Sequence, residues 1–158
     1  MTEVTDLAAR LERLERIEIA KATAARYARA CDAKDVAELA ATVFTADVTL
    51  HIRGADHVGI DAVGAFFRAA FDAEPGTRRH FLTNHVAEIT ADGSVAIDSY
   101  FMFVGVERES VIGWGAYRDI VTVDGSGSGR IREKTIVLDM HTTVGAGWAA
   151  TAIVSEAR

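Results

Sequence analysis

Residues 78 to 143 contain four successive strand-like segments, and this series restricts the chain to a small number of folds. The segments are rich in Val, Ile, Thr, Phe and Tyr, which favour strands, and they span 78–90, 94–107, 110–123 and 130–143. Short polar separators of the hairpin type lie between them: ADGS (91–94), ERES (107–110) and DGSGSG (124–129). We therefore predict a long antiparallel meander.

The N-terminal half has helical spacing instead. A first helix is predicted over 6–31, because apolar residues recur there at helical intervals: Leu7, Leu11, Leu14, Ile17, Ala24, Tyr27 and Cys31. A capping box at 35–38 starts a second, shorter helix that reaches about Phe44. Residues 46–54 alternate like a strand, and 60–72 form a third helix that Glu-Pro-Gly at 74–76 ends.

Helices followed by strands indicate the α+β class. We predict a curved antiparallel sheet wrapped around three N-terminal helices, which makes a cone whose internal cavity is suited to a small molecule. With 158 residues, the chain is predicted to be a single domain spanning 1–158. Its core covers about 7–143, and the tail 145–158 has no assigned structure.

Charge and hydropathy argue against several kinds of partner. The formal net charge is −6, and the N-terminal arginines alternate with glutamates along one helix, so we expect no nucleic-acid partner. No apolar run is long enough to span a bilayer and no basic-then-apolar leader is present, so we expect no membrane partner. The single cysteine, Cys31, cannot form an internal disulfide or a Cys-based zinc site. A reducing cytoplasm is the expected location.

Two histidines lie five residues apart in RRHFLTNH (78–85), within the first strand of the predicted meander. Side chains alternate between faces along a strand, so His80 shares a face with Leu82 and Asn84, whereas His85 lies on the other face. Only a β-bulge would change this arrangement. A shared metal ion is therefore not expected, and no metal site is predicted.

Asp32 stands where the first helix ends, directly before a short turn. One interpretation is a turn aspartate that bonds locally, which is common. The other is functional, because Asp35 already provides the cap of the next helix. A carboxylate bonded to an imidazole fixes its tautomer and supports the imidazolium, and such a histidine can take a proton from carbon. Spacing alone does not join Asp32 to His80.

Further polar and aromatic residues are candidates for the cavity. Asn84, on the predicted face of His80, is a candidate donor to a substrate oxygen, and a hydrogen bond within the sheet is the alternative. Trp114 and Phe103 are expected in the core or in the cavity wall. Alternation does not decide which of two same-face pairs reaches the cavity, Tyr100 with Asp98 or Tyr117 with Asp119.

Four segments carry a resemblance to the SnoaL-like branch of the nuclear transport factor 2-like superfamily, which extends over about 7–143. They are IEIAKATAARYARACDAKDVAELAATVFTADVTL (17–50), VGIDAVGAFFRAAF (58–71), TRRHFLTNHVAEI (77–89) and GAYRDIVTVDG (115–125). The resemblance implies a cystatin-like α+β barrel. Within the branch the chain is most similar to scytalone dehydratase-, bile-acid 7α-dehydratase- and hexachlorocyclohexane dehydrochlorinase-type eliminases. Those enzymes use an Asp–His dyad for elimination without a cofactor.

The resemblance assigns roles to three residues. Asp32 matches the dyad aspartate, His80 matches the dyad histidine, and Tyr27 matches a tyrosine of the pocket. Other positions depart from the family pattern: Phe103 stands where one pattern has a carboxylate, and Cys31 replaces a tyrosine before the aspartate. Neither arginine of the last hairpin, Arg118 or Arg132, is in register with the expected one. The substrate-reading residues therefore do not transfer.

Three hypotheses about function follow. The first is a cofactor-independent lyase or isomerase that acts on a small hydrophobic substrate, for which polycyclic and aromatic compounds are candidates. The second is a module of the same fold that only binds a small ligand or serves assembly. The third is a polyketide-cyclase-like activity in which Asp98 or Asp119 is the acid/base. The many apolar residues expected on the outer face of the sheet also predict a homo-oligomer, either a trimer or a dimer.

Overall fold

The computed structural model describes residues 2–74, 76–106 and 109–147. Its helices are α1 (Thr2–Ala33), α2 (Val36–Glu38), which continues into a π-helical segment (Leu39–Val43), and α3 (Ile60–Ala73). The carboxylate of Asp35 accepts a hydrogen bond from the Glu38 amide at 2.8 Å, so the second helical segment begins at the predicted cap. Within the described residues, no helix is long and apolar enough to cross a membrane.

In the described part of the chain, six strands form one curved, unclosed sheet. They are β1 (Phe44–Ile52), β2 (Ala55–Val58), β3 (Thr77–Ile89), β4 (Val95–Val106), β5 (Ser110–Val123) and β6 (Gly129–Thr143), in the order β2-β1-β6-β5-β4-β3. Strands β3 to β6 make the predicted antiparallel meander, with ends within one or two residues of those expected. The α+β class is therefore confirmed. The β1–β2 hairpin and the parallel pairing of β1 with β6 were not predicted.

The core lies between the helices and the inner face of the sheet. Alternate residues of β4 and β5 are buried there, as strand geometry requires. From α1, Tyr27 enters the core and contacts the rings of Phe44, Phe67 and Tyr117, at centroid distances between 5.5 and 6.0 Å. This packing fixes α1 across the sheet and sets the position of its C-terminal end.

The first half of α1 departs from the expected apolar face. The sequence placed Leu7, Leu11 and Leu14 on the same stripe as Tyr27, but all three are exposed while Tyr27 is buried. At about 100° per residue, these leucines lie roughly 150° around the helix from the stripe that meets the sheet. Each half of α1 has apolar residues at helical spacing, but the apolar residues of the two halves lie on different faces of the helix.

A β-bulge in β3 overturns the predicted faces of two residues. The register with β4 shifts between Thr83 and Val86, and Asn84 adopts a positive φ of 55°. The extra residue reverses the alternation, so that His85 is half-buried on the inner face like His80, and Asn84 is exposed. The expectation that Asn84 shares the face of His80 is therefore wrong, and so is the expectation that the two histidines lie on opposite faces.

The predicted C-terminal tail is described only in part. Residues 144–146 form a turn after β6. Residues 148–158, which make up most of that tail, lie outside the described residues. The single-domain boundaries of 1–158 stay a prediction.

Candidate active site

The turn after α1 positions Asp32. Lys34 adopts a left-handed φ of 55°, and its amide donates to the carbonyl of Cys31 at 3.0 Å, while the amide of Asp35 donates to the carbonyl of Ala30 at 2.9 Å. These bonds close the helix end in the usual manner of a left-handed C-cap. Asp35 caps α2, and the carboxylate of Asp32 is directed toward β3 of the sheet.

Asp32 meets His80 of β3 at this point. Nδ1 of the His80 ring lies 2.7 Å from Oδ1 of Asp32. The backbone amide of His80 donates to the same carboxylate, at 3.1 Å to Oδ1 and 3.3 Å to Oδ2. The side chains of His80 and Asp32 are only 13% and 10% exposed. Three short contacts between two segments 48 residues apart hold the imidazole in one orientation.

The protonation of His80 follows from its surroundings. Burial lowers the pKa of His80 below its usual 6.5, and this outweighs the hydrogen bond and negative charge of Asp32, which raise the pKa. The ring is therefore neutral at pH 7. With a carboxylate at Nδ1, the proton resides on Nδ1 and the lone pair on Nε2. This is the state in which a histidine can accept a proton.

Aromatic rings line the interior beside His80. Phe103 is buried with its centroid 5.6 Å from the imidazole, and Phe101 lies 6.5 Å from it. Phe101 also stacks on Tyr117 at 4.1 Å. The structure therefore places the predicted residues Phe103 and Tyr117 on the inner face. The imidazole therefore has aromatic rings on its inner side, and the guanidinium of Arg78 lies 4.5 Å from the centre of the Phe103 ring.

Tyr27 and Cys31 lie deeper, on α1. Burial raises the pKa of Tyr27 well above 10 and that of the Cys31 thiol to about 12, and the two side chains share a hydrogen bond. Both groups therefore keep their protons at neutral pH. Tyr27 can act as a hydrogen-bond donor. The nearby charge of Lys134 lowers the pKa of Cys31, but burial outweighs it, so no reactive thiolate forms.

Lys134 and Asp119 form a buried ion pair that the sequence interpretation missed. Nζ of Lys134 lies 2.9 and 3.1 Å from the two carboxylate oxygens of Asp119, and both side chains are fully buried. The ammonium also lies 3.8 Å from the ring centre of Tyr27 and 3.9 Å from that of Tyr117. No local pattern in the sequence signalled this pair, because Asp119 and Lys134 face each other only after a register shift between Ile120 and Val121.

Three candidate lining residues lie elsewhere. Tyr100 is 61% exposed on the outer face of β4, and Trp114 is half-buried on the outer face of β5. Of the two candidate tyrosines, Tyr100 is therefore the one that does not face the interior, and the placement of Trp114 in the core or cavity wall is wrong. The inner positions of these strands belong to their neighbours in sequence. Asn84, the third, is exposed in the bulge.

Two polar atoms on the inner side have no hydrogen-bond partner among the described residues. They are Nδ1 of His85 and Oγ of Ser99. Burial and the positive charge of Lys21 lower the pKa of His85. In the described part of the chain, no three His, Cys, Asp or Glu side chains lie close enough together to bind a metal ion.

Comparisons with known proteins give a family and a fold. The family model described as "SnoaL-like domain" matches residues 12–135. No curated protein matches the chain.

Three solved structures illustrate the likeness in fold. The "LinA" type 2 hexachlorocyclohexane dehydrochlorinase has a TM-score of 0.75 and 14% identity, over 85% of this chain and 92% of the other. A proposed scytalone dehydratase from Novosphingobium aromaticivorans has a TM-score of 0.68 and 18% identity, over the whole of both chains. A protein of unknown function with a cystatin-like fold, from Nostoc punctiforme, has a TM-score of 0.64 and 25% identity, over 82% and 92%.

Proposed function

Because the chain belongs to the SnoaL-like domain family, within the nuclear transport factor 2-like superfamily, we propose that it is a cofactor-independent lyase or isomerase whose general base is His80. The observation that carries this proposal is the 2.7 Å contact between the His80 ring and the Asp32 carboxylate, in a largely buried and aromatic setting. A second histidine–aspartate pair, His51 with Asp56, has the same 2.7 Å contact but lies on an exposed hairpin.

The proposed chemistry is elimination. Nε2 of His80 takes the proton from a carbon next to the one that bears the leaving group. The C–H electron pair becomes the new double bond, and the leaving group departs with its own electron pair. Asp32 stabilises the imidazolium through Nδ1–H, and the proton then passes to a departing hydroxide, to give water, or to solvent. Return of the proton to another carbon would give isomerisation.

Tyr27 is the proposed donor to the departing or accepting oxygen, because its raised pKa keeps the hydroxyl protonated. A well-placed base contributes about 10²- to 10⁴-fold to the rate. The rest of the acceleration is assigned to orientation of the substrate and to exclusion of water by the rings of Phe101, Phe103 and Tyr117.

The substrate class follows from the lining. Phe101, Phe103 and Tyr117 offer faces and edges of rings rather than charges near His80, which suits a small hydrophobic compound, aromatic or polycyclic. Two of the similar structures are named as a dehydrochlorinase and a proposed dehydratase, and both names denote eliminations. These names support elimination as the reaction class.

A substrate panel tests the proposal. The purified chain is incubated with hydrophobic alcohols and halides that carry an acidic C–H beside the leaving group, and products are followed by mass spectrometry. We expect His80→Ala and Asp32→Asn to reduce turnover by about 10²- to 10⁴-fold, while His51→Ala, the matched control, retains it. Full turnover by His80→Ala would contradict the assignment of His80 as the general base.

The same variants separate the alternatives. A module that only binds would consume no substrate, and Asp32→Asn would leave its affinity for a ligand unchanged. A cyclase-like enzyme would lose activity on replacement of Asp98 or Asp119 and keep it in His80→Ala. The positions of the two aspartates do not support the cyclase-like activity, because Asp98 is exposed and Asp119 is paired with Lys134.

We also propose that the protein is a cytoplasmic homo-oligomer, a dimer or a trimer. The outer face of the sheet supports this proposal. It carries exposed apolar side chains on β3 and β4: Phe81, Val86, Tyr100, Met102, Val104 and Val106. Such a contiguous apolar surface is typical of an interface. Sedimentation equilibrium of the wild-type chain measures the oligomer mass, and a monomer at all concentrations would contradict the proposal.

A further inference from the structure

The exposed half of α1 carries a second apolar surface. Val4, Leu7, Leu11 and Leu14 are between 55% and 73% exposed. Their spacing of three, four and three residues is the a/d pattern of a heptad repeat, with Val4 and Leu11 at a and Leu7 and Leu14 at d. We name these four residues the heptad stripe. Four large aliphatic side chains on one helix face are more than a monomer usually exposes in one place.

The heptad stripe points away from the rest of the domain. It lies roughly 150° around α1 from the residues that face the sheet, at about 100° per residue. Every described side chain from Val4 to Glu15 is exposed, and α1 meets the sheet only from Arg16, whose guanidinium donates to the carbonyl of Gly93. A second helix can therefore lie along the stripe without meeting the domain to which the stripe belongs.

The projecting helix is also ordered in advance. An isolated helix of this length is marginal in water. Here it continues directly from the half of α1 that packs in the core, so the cost of nucleation is already met. A partner that binds the stripe gains the burial of four aliphatic side chains without the cost of folding the helix.

We propose that the heptad stripe forms a parallel, two-stranded coiled coil with the same stripe of a second copy of this chain. A β-branched residue at the first a position and leucine at both d positions favour two strands. The seam ends where the next a position is Glu18, which is paired with Lys21 of its own helix at 2.7 Å. The contact is thus limited to two heptads.

Charge decides the direction of the two helices. In the heptad frame Arg10 is at g and Glu15 is at the following e position. A parallel pair places Arg10 beside the partner's Glu15, twice per dimer, which is the attractive g–e′ arrangement. An antiparallel pair aligned on the four aliphatic residues would bring Arg10 against the partner's Arg10. The parallel arrangement is therefore the one that the flanking charges stabilise.

A disulfide experiment tests partner and direction together. In a parallel, in-register pair, Leu7→Cys faces its own copy, so this variant forms covalent dimers under mild oxidation. The buried Cys31 does not compete. The control is Arg13→Cys, which lies on the other side of the exposed helix. Cross-linking of Leu7→Cys no faster than of Arg13→Cys would overturn the proposal, and so would cross-linking only in mixtures of Leu7→Cys with Leu11→Cys.

Self-association measured by sedimentation provides the second test. We expect the double variant Leu7→Glu with Leu11→Glu to weaken the association between copies through the heptad stripe by more than about tenfold. Arg10→Glu should weaken it, and the charge swap Arg10→Glu with Glu15→Arg should restore it, while Arg13→Glu has no effect. An association constant that is unchanged in the leucine double variant would show that the stripe binds no second copy.

Discussion

At the Asp32–His80 contact two opposing influences act on one imidazole. Burial favours the neutral ring, and the carboxylate favours the charged ring. We predict that the pKa of His80 lies below 6.5 and that Asp32→Asn lowers it further, because the substitution removes the negative charge and keeps the burial. Titration of the histidine ring signals by NMR measures both values. A pKa that rises in Asp32→Asn would contradict the assignment.

The same shift sets the pH dependence of the proposed activity. The base is the neutral ring, so kcat/KM should rise with pH through the pKa of His80 and level off above it, with the midpoint below 6.5. In Asp32→Asn the midpoint should move to lower pH while the plateau falls. The pH–rate profile of each variant checks this. If the midpoint of the rise in kcat/KM were unchanged in Asp32→Asn, the rise would belong to a group other than His80.

Lys134 offers a prediction about stability. Lys134→Met leaves Asp119 buried without its partner, and breaking such a pair costs about 3–5 kcal/mol of the free energy of unfolding. Replacing both residues, as Asp119→Leu with Lys134→Met, should recover most of this loss. Urea unfolding measures all three proteins. The control is Lys21→Met, which removes an exposed pair and should change stability by less than about 1 kcal/mol.

The contrast between these residues shows how much of the site the sequence could predict. Asp32 had no local role and His80 lay in a recognisable strand, and the family resemblance joined them. Lys134 had no comparable signal. A register shift between β5 and β6 next to Arg132 reverses the alternation and brings Lys134 inward, and a lone lysine in a strand is normally exposed.

At the scale of elements, the bulge in β3 decides which side chains face the interior. Asn84 holds a left-handed φ of 55° there, which asparagine and glycine tolerate and β-branched residues do not. We predict that Asn84→Gly changes the free energy of unfolding by less than about 0.5 kcal/mol, whereas Asn84→Val costs about 1–2 kcal/mol. Chemical denaturation of the two variants measures the difference. Equal stability would mean that the bulge relaxes.

The elements themselves were largely predictable, because long segments with consistent periodicity and turn residues at their ends specify them locally. The exceptions are where distant chain segments meet. Pairing of Phe44 with Ile131 joins β1 to β6 across 87 residues, and no local pattern encodes it. The alternation of side chains likewise could not predict the bulge, because a strand with one extra residue has the same kinds of residue as a regular strand.

For the whole molecule, His80 and His85 make the free energy of unfolding depend on pH. The pKa values of His80 and His85 are both lowered in the folded state. Between those values and about 6.5 the unfolded chain binds more protons, so the free energy of unfolding should fall as the pH decreases through this window. Urea unfolding at pH 5 and pH 7.5 measures the fall, which should be smaller in His80→Gln with His85→Gln. An equal fall in that variant would exclude both histidines as its origin.

The parallel pairing of β1 with β6 has a consequence for synthesis of the chain. Val48 and Leu50 of β1 are fully buried. Strand β2 pairs with one edge of β1, but the other edge gains its neighbour only when β6, beginning at Gly129, has been made. On the ribosome, β1 therefore has one open edge while residues 53–128 are made, and such edges aggregate readily. Nascent chains that stall before residue 129 should be substrates for chaperones, and those released after residue 143 should not.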